Sequence, residues 1–111
     1  MDKMNLGEFE ELVLLAVASL EKNAYGVTIR KAMETAGRSA SIGALYTTLD
    51  RLEEKGFISS RQGESTPERG GRAKKFFSIE GAGSLALEQA ERVRRQMRMG
   101  IGVGFPIGGV A

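Results

Sequence analysis

From Ile42 to Leu52 the apolar residues Ile42, Leu45, Leu49 and Leu52 step by 3, 4 and 3, and after Phe57 that period stops. The stripe predicts a helix over about residues 42–55, capped by Ser41 and stopped by Gly56. Two β-prone runs follow, at 58–63 and 73–79, the second carrying Phe76 and Phe77. The segment 64–72 between them combines turn formers with charge and cannot be core, so the pair reads as a hairpin with an exposed, charged tip.

Two further helices are predicted ahead of this unit. The first covers about residues 6–22, with Asn5 as cap and Glu8 in the reciprocal position. Phe9, Leu12, Val13, Ala16 and Leu20 repeat on it at helical spacing, and Leu14, Leu15 and Val17 widen the apolar arc enough that a partner subunit could supply part of its cover. The second covers about 24–36, with Asn23 as cap, Ile29, Ala32, Met33 and Ala36 on one face, and Gly37 as stop. A last helix is predicted over 81–99. Its residues Ala86, Ala90, Val93 and Met97 step by 4, 3 and 4, a narrow seam that a second copy of the same helix would cover.

The order helix, helix, helix, strand, basic loop, strand is that of a winged helix-turn-helix. The expected class is therefore mainly α with a small β-hairpin: a winged helix-turn-helix domain over 1–79, a dimerisation helix over 80–99, and a glycine-rich apolar tail over 100–111. In such a motif the third helix enters the DNA major groove with its N-terminal part at the base edges, so its outward face must be small and polar. At about 100° per residue, Gly43, Ala44, Thr47 and Arg51 lie opposite the apolar stripe, with Thr48 and Asp50 on the flanks. Arg51 can reach a guanine edge or a phosphate, and Ser39 and Ser41 can donate to phosphate at the helix start. The same face also fits an ordinary solvated helix side, and Tyr46, at the edge of the stripe, fits the core as well as a phosphate contact.

Charge supports the DNA reading. Net charge is only +2, but residues 38–79 carry eight bases and five acids, whereas 1–37 carry four bases and six acids. The segment Arg69-Gly70-Gly71-Arg72-Ala73-Lys74-Lys75 holds four cations and no acid, a composition suited to neutralising phosphates. A solubilising loop with edge-strand lysines is the plainer alternative. Arg92, Arg94, Arg95 and Arg98 read as the polar face beside the last helix's seam.

Other functions are disfavoured. The chain has no cysteine and no histidine, so thiolate chemistry, the commonest metal ligand and the commonest neutral-pH base are missing. No metal, cofactor or enzymatic activity is expected. Gly81-Ala82-Gly83-Ser84-Leu85-Ala86 fits a loose dinucleotide pattern, but no acid occurs after Glu91 and no second strand–helix unit follows. Glu10-Glu11 and Glu53-Glu54 read as solvated neighbours. No apolar run approaches the roughly 20 residues needed to cross a bilayer and the first residues lack a signal-peptide layout, so a cytoplasmic protein is expected. A winged helix used for protein–protein contact is the competing reading, and the low net charge suits it.

Several segments resemble the PadR family in order: 6–16 its first helix, 23–29 the start of its second, 41–56 (Ser-Ile-Gly-Ala-Leu-Tyr-Thr-Thr-Leu-Asp-Arg-Leu-Glu-Glu-Lys-Gly) its recognition segment, and 64–77 its wing. The resemblance implies a winged-helix homodimer that represses transcription at inverted-repeat operators. It implies double-stranded DNA as partner, and a dimer-interface cavity that admits small hydrophobic effectors. It maps DNA contact to Ser41, Tyr46, Thr47, Arg51, Arg72 and Lys74, and dimer contact to Phe9, Leu12, Val13, Val93 and Met97. Glu80-Gly81 stands where family members often have Ser or Thr, which leaves the last helix without a hydroxyl cap.

Overall fold

The computed structural model describes residues 5–65 and 73–101. Helix α1 (Glu8–Leu20) leads through a short 3-10 turn (Glu21–Asn23) into α2 (Gly26–Thr35) and α3 (Ile42–Glu54). The strands β1 (Ile58–Ser65) and β2 (Ala73–Ile79) form an antiparallel hairpin, and α4 (Gly81–Ile101) follows. This is the mainly helical winged architecture expected from the periodicity.

The helix ends show what the sequence did and did not fix. Ser41 Oγ accepts the Ala44 N–H at 3.1 Å, as expected of the α3 cap. Gly37 (φ +98°) and Gly56 (φ +80°) take the left-handed turns that end α2 and α3. The first two starts differ from expectation. Helix α1 begins after Gly7, not Asn5, because Glu10 Oε1 accepts the Gly7 N–H at 2.9 Å. Helix α2 begins after Tyr25, not Asn23, because the hairpin claims the preceding backbone: Phe77 N–H donates to the Ala24 carbonyl at 2.8 Å, and Tyr25 bridges to Phe76. The Tyr25 N–H is then satisfied by Thr28 Oγ1 at 3.0 Å. At its far end α1 stops at Leu20, two residues early, where Glu21 swings to φ +53°.

All helices and the hairpin share one core. Val13, Leu14 and Val17 of α1 meet Ile29 and Met33 of α2, Leu45, Leu49 and Leu52 of α3, and Phe57, Ile58 and Phe77 of the hairpin. Burying each of the larger side chains contributes about 1.5–3 kcal/mol. Two sequence assignments fail here. Ile42, read as the first member of the buried stripe, is 47% exposed because the first turn of α3 projects beyond the packed body; Thr48, read as a flank, is buried in its place.

Helix α4 is seated by its first two turns. The Glu80 N–H donates to the Phe57 carbonyl at 2.9 Å and the Ser84 N–H to the Glu80 carbonyl at 3.0 Å, so the start is tied down without a hydroxyl cap. Ala86 is fully buried and Leu87 packs beside it. From Glu91 to Gly100 every residue is exposed. Among the described residues, no helix is long and apolar enough to cross a membrane and no cluster of metal-ligating side chains occurs.

The paired acids are not simply solvated. Glu10 is buried and meets Lys55 Nζ at 3.0 Å, and Glu11 meets Arg94 at 2.7 Å. Burial raises the Glu10 carboxyl pKa, but the Gly7 N–H and the Lys55 ammonium outweigh it and hold the group below its ordinary value of 4.5. A depressed folded-state pKa gives stability that is present above the unfolded value and lost as pH falls through the folded one. Glu10→Gln should therefore cost about 1–3 kcal/mol at neutral pH. The gap from wild type should close as pH drops below 4.5. Urea melts across that range check this; a gap independent of pH would remove the ion pair from the account.

Candidate nucleic-acid interface

Helix α3 presents Gly43, Ala44, Thr47, Asp50 and Arg51 to solvent, with Ser39 and Ser41 exposed just ahead of it. The surface is small at the first turn, hydroxylic in the middle and cationic at the end. It can approach a base edge closely, accept or donate, and reach a guanine or phosphate with Arg51. Ser41 Oγ spends a lone pair on the cap, which leaves its O–H to donate to an anion. Thr48 does not belong to this surface. At 4% exposure it faces the core, because it lies one turn after Leu45 and one turn before Leu52 on the inner side.

Tyr46, read either as core or as a phosphate contact, is not enclosed by the core. It is 39% exposed, and its hydroxyl packs against Gly26, where any Cβ would overlap it. The tyrosine thus pins α3 to the start of α2 and still shows part of its ring outside.

The path continues into the hairpin. Tyr25, next to Gly26, lies with its ring 5.2 Å from that of Phe76, tilted by 59°. The Lys74 ammonium sits 4.4 Å from the Tyr25 ring centre and the Arg61 guanidinium 4.8 Å from that of Phe76. The result is a four-member stack, cation–ring–ring–cation, tying both strands to the start of α2. Such pairs contribute about 0.5–1 kcal/mol each when exposed. They also fix the cations in space, so Lys74, half-buried, is held near the loop end of the hairpin. Lys75 is exposed, 5.7 Å from the Phe77 ring. Arg69 and Arg72, the two arginines read at the wing, lie outside the described residues.

Two contributors were missed in the sequence. Arg61 was legible only as a cation on the first strand; its pairing opposite Phe76 comes from the hairpin register. Arg30, whose Nε donates to the Ala40 carbonyl at 3.1 Å and so braces the connector before α3, has no local sequence signal.

The proposed partner-facing residues divide. On α4, Ala90 is half-buried while Val93 and Met97 are 55% and 62% exposed. On α1, Phe9 and Leu12 are half-buried, and Leu15 is exposed. Val13 and Ala86, assigned to the same surface, are enclosed by this chain's own core and present nothing to a partner. For Val13 the apolar arc of α1 is wide enough to have two faces, and it falls on the inner one. For Ala86 the start of α4 is anchored to Phe57, so the seam becomes available only from Ala90 onward.

Three helices, a hairpin stacked on the second of them, and a polar outward face on the third define a winged helix-turn-helix. The chain matches the transcriptional regulator PadR-like family over residues 14–89, and it belongs to that family of DNA-binding transcription regulators. The fold is similar to the X-ray structure of a PadR-like transcription factor from Bacteroides fragilis, at 24% identity over 84% of this chain and 85% of that one, with a TM-score of 0.73. It is also similar to a PadR family transcriptional regulator from Eggerthella lenta (26% identity, 86% and 83% covered, TM-score 0.67). A PadR family transcription regulator from Clostridium difficile R20291 superposes with a TM-score of 0.64 at 20% identity, covering 85% of this chain and 99% of that one. No curated protein matches the chain.

Proposed function

We propose that the protein is a sequence-specific repressor that binds an inverted-repeat operator as a homodimer and is released by a small hydrophobic effector. The observation that carries the DNA reading is the exposed face Gly43, Ala44, Thr47 and Arg51, joined through Tyr46, Gly26 and Tyr25 to the cations of the hairpin. Arg51 reads bases or clamps phosphate, Ser39 and Ser41 donate to the backbone, and Arg69, Arg72, Lys74 and Lys75 neutralise phosphates beside the groove. The homodimer reading is supported by Val93 and Met97, which leave an apolar stripe on the outer half of α4. A twofold dimer places two copies of α3 about one DNA turn, roughly 34 Å, apart, and this spacing makes the operator palindromic.

Selection from a library of randomised duplexes tests the reading. Enrichment of a motif with twofold symmetry is expected. Recovery of no motif would contradict it and favour protein contact, for which exposed Ile42 and Val27 at the corner between α2 and α3 would be the anchors. A second prediction concerns assembly. Val93→Asp puts a charge into the proposed seam and should raise the dimer dissociation constant at least about 100-fold, seen as monomer by light scattering. A dimer surviving at micromolar concentration would move the interface away from α4.

A further inference from the structure

The first turn of α1 carries three acids, and each meets a cation on a different part of the chain. Glu8 pairs with Arg38, in the connector before α3, at 3.1 Å. Glu10 pairs with Lys55, the residue closing α3, at 3.0 Å. Glu11 pairs with Arg94, midway along α4, at 2.7 Å. Neighbouring helix positions point about 100° apart, so Glu10 and Glu11 reach α3 and α4 from one rigid turn.

The three pairs are not equal. Glu8–Arg38 is exposed on both sides, 70% and 41%, and such pairs contribute little. Glu10 is only 8% exposed and its carboxylate is fully engaged, by the Gly7 N–H and by Lys55. Lys55 Nζ also donates to the Asn5 carbonyl at 3.2 Å, which gathers the approach to α1 into the same knot. The Glu11 carboxylate is 15% exposed, and its hydrogen bond raises the pKa of the Arg94 guanidinium above its ordinary value. Removing Lys55 would leave the buried Glu10 carboxylate desolvated and unpaired, so that contact resists opening; the Glu11–Arg94 hydrogen bond lies nearer the surface.

We propose that the relay Lys55–Glu10/Glu11–Arg94 fixes the angle between α3 and α4, making these four side chains positioning residues for DNA recognition. This rests on reading α3 as the helix that meets DNA and α4 as the helix that meets the partner. In a dimer joined through α4, the angle between the two helices sets the separation of the two copies of α3. The relay would therefore tune operator affinity without any of its members touching DNA.

The chain has no cysteine, so Asp50→Cys on α3 and Glu88→Cys on α4 accept two spin labels and no others. Labelled chains diluted into unlabelled protein report the distance within one chain. One narrow distance peak is expected in this background. Adding Glu10→Gln with Lys55→Met, which neutralises both partners, should broaden or split it. Arg94→Met, at an exposed side chain with little risk to folding, should do the same. Ile29→Val, which loosens the core away from the relay, should leave the peak narrow. Affinity for the duplex enriched by selection should fall about tenfold in the relay variants. A peak as narrow in both relay variants as in the parent would overturn the proposal. If the unlabelled wild-type protein enriches no duplex, the DNA reading fails on its own, and the distance distributions still decide the relay.

Discussion

Gly83→Ala is expected to destabilise the protein by about 3 kcal/mol, a change at the upper end of what added volume in a packed site costs. The reason is a backbone contact. A Cβ at this position would overlap the Phe57 carbonyl oxygen and approach Ile79 Cγ1 to 3.0 Å. That same carbonyl accepts the Glu80 N–H, so it cannot withdraw without releasing the start of α4. Gly81, two residues earlier, has nothing within 4 Å of an added Cβ and serves as control; Gly81→Ala should be nearly silent. For a domain of this size the Gly83 change corresponds to a fall in melting temperature of roughly 10–20 °C. Thermal melts followed by circular dichroism decide the matter, and a fall under about 2 °C would mean that α4 is not seated on Phe57. The result also explains a motif: Gly81 and Gly83 look like part of a dinucleotide loop, but Gly83 is required by close approach of α4 to the hairpin.

Thr47→Glu is expected to abolish specific DNA binding while leaving stability unchanged within about 0.5 kcal/mol. Thr47 is exposed on the outward face of α3 between Ala44 and Arg51, so the substitution disturbs no buried contact. In the groove, however, a carboxylate would face phosphates and the mostly acceptor edges of the bases. A loss of at least about 100-fold, or close to 3 kcal/mol, is expected from one repelled contact plus the displacement of its neighbours. Anisotropy titrations of the variant and wild type on the same selected duplex give the ratio. Equal affinities would place Thr47 outside the interface and, with it, the central part of the proposed face. Thr48→Val is a useful companion, since Thr48 faces inward and its loss should leave DNA affinity intact.

Much of the architecture was legible because the local signals agreed with one another. The α3 segment carried a cap, an apolar stripe and a glycine stop in register; the cap, the stop and the stripe from Leu45 onward reappear. The strand over Ala73–Ile79 was read to the residue. Most of the failures lie where tertiary contacts override local preference; the start of α1 is the exception, set by a local contact between Gly7 and Glu10. Asn5 and Asn23 are good caps by residue type, yet Gly7 and Tyr25 take those positions because Glu10 and the hairpin backbone require it. Periodicity marks which side of a helix is apolar but not which neighbour covers it. Val13 and Ala86 were therefore assigned to a partner when this chain covers them itself. Likewise Ile42 extends the stripe in sequence but lies on a turn that reaches past the core. The ion pairs of Glu10 and Glu11 span 45 and 83 positions, and no local pattern announces such contacts.

The most direct measurement is fluorescence anisotropy of the wild-type protein on the DNA upstream of its own gene, with a scrambled duplex as competitor, across a salt series. Strong preference for the native fragment is expected. Log affinity should fall linearly with log salt, with a slope of several units set by the neutralised phosphates. Absence of binding to either duplex at low salt would contradict the DNA reading and turn the exposed face of α3 into a surface for protein contact.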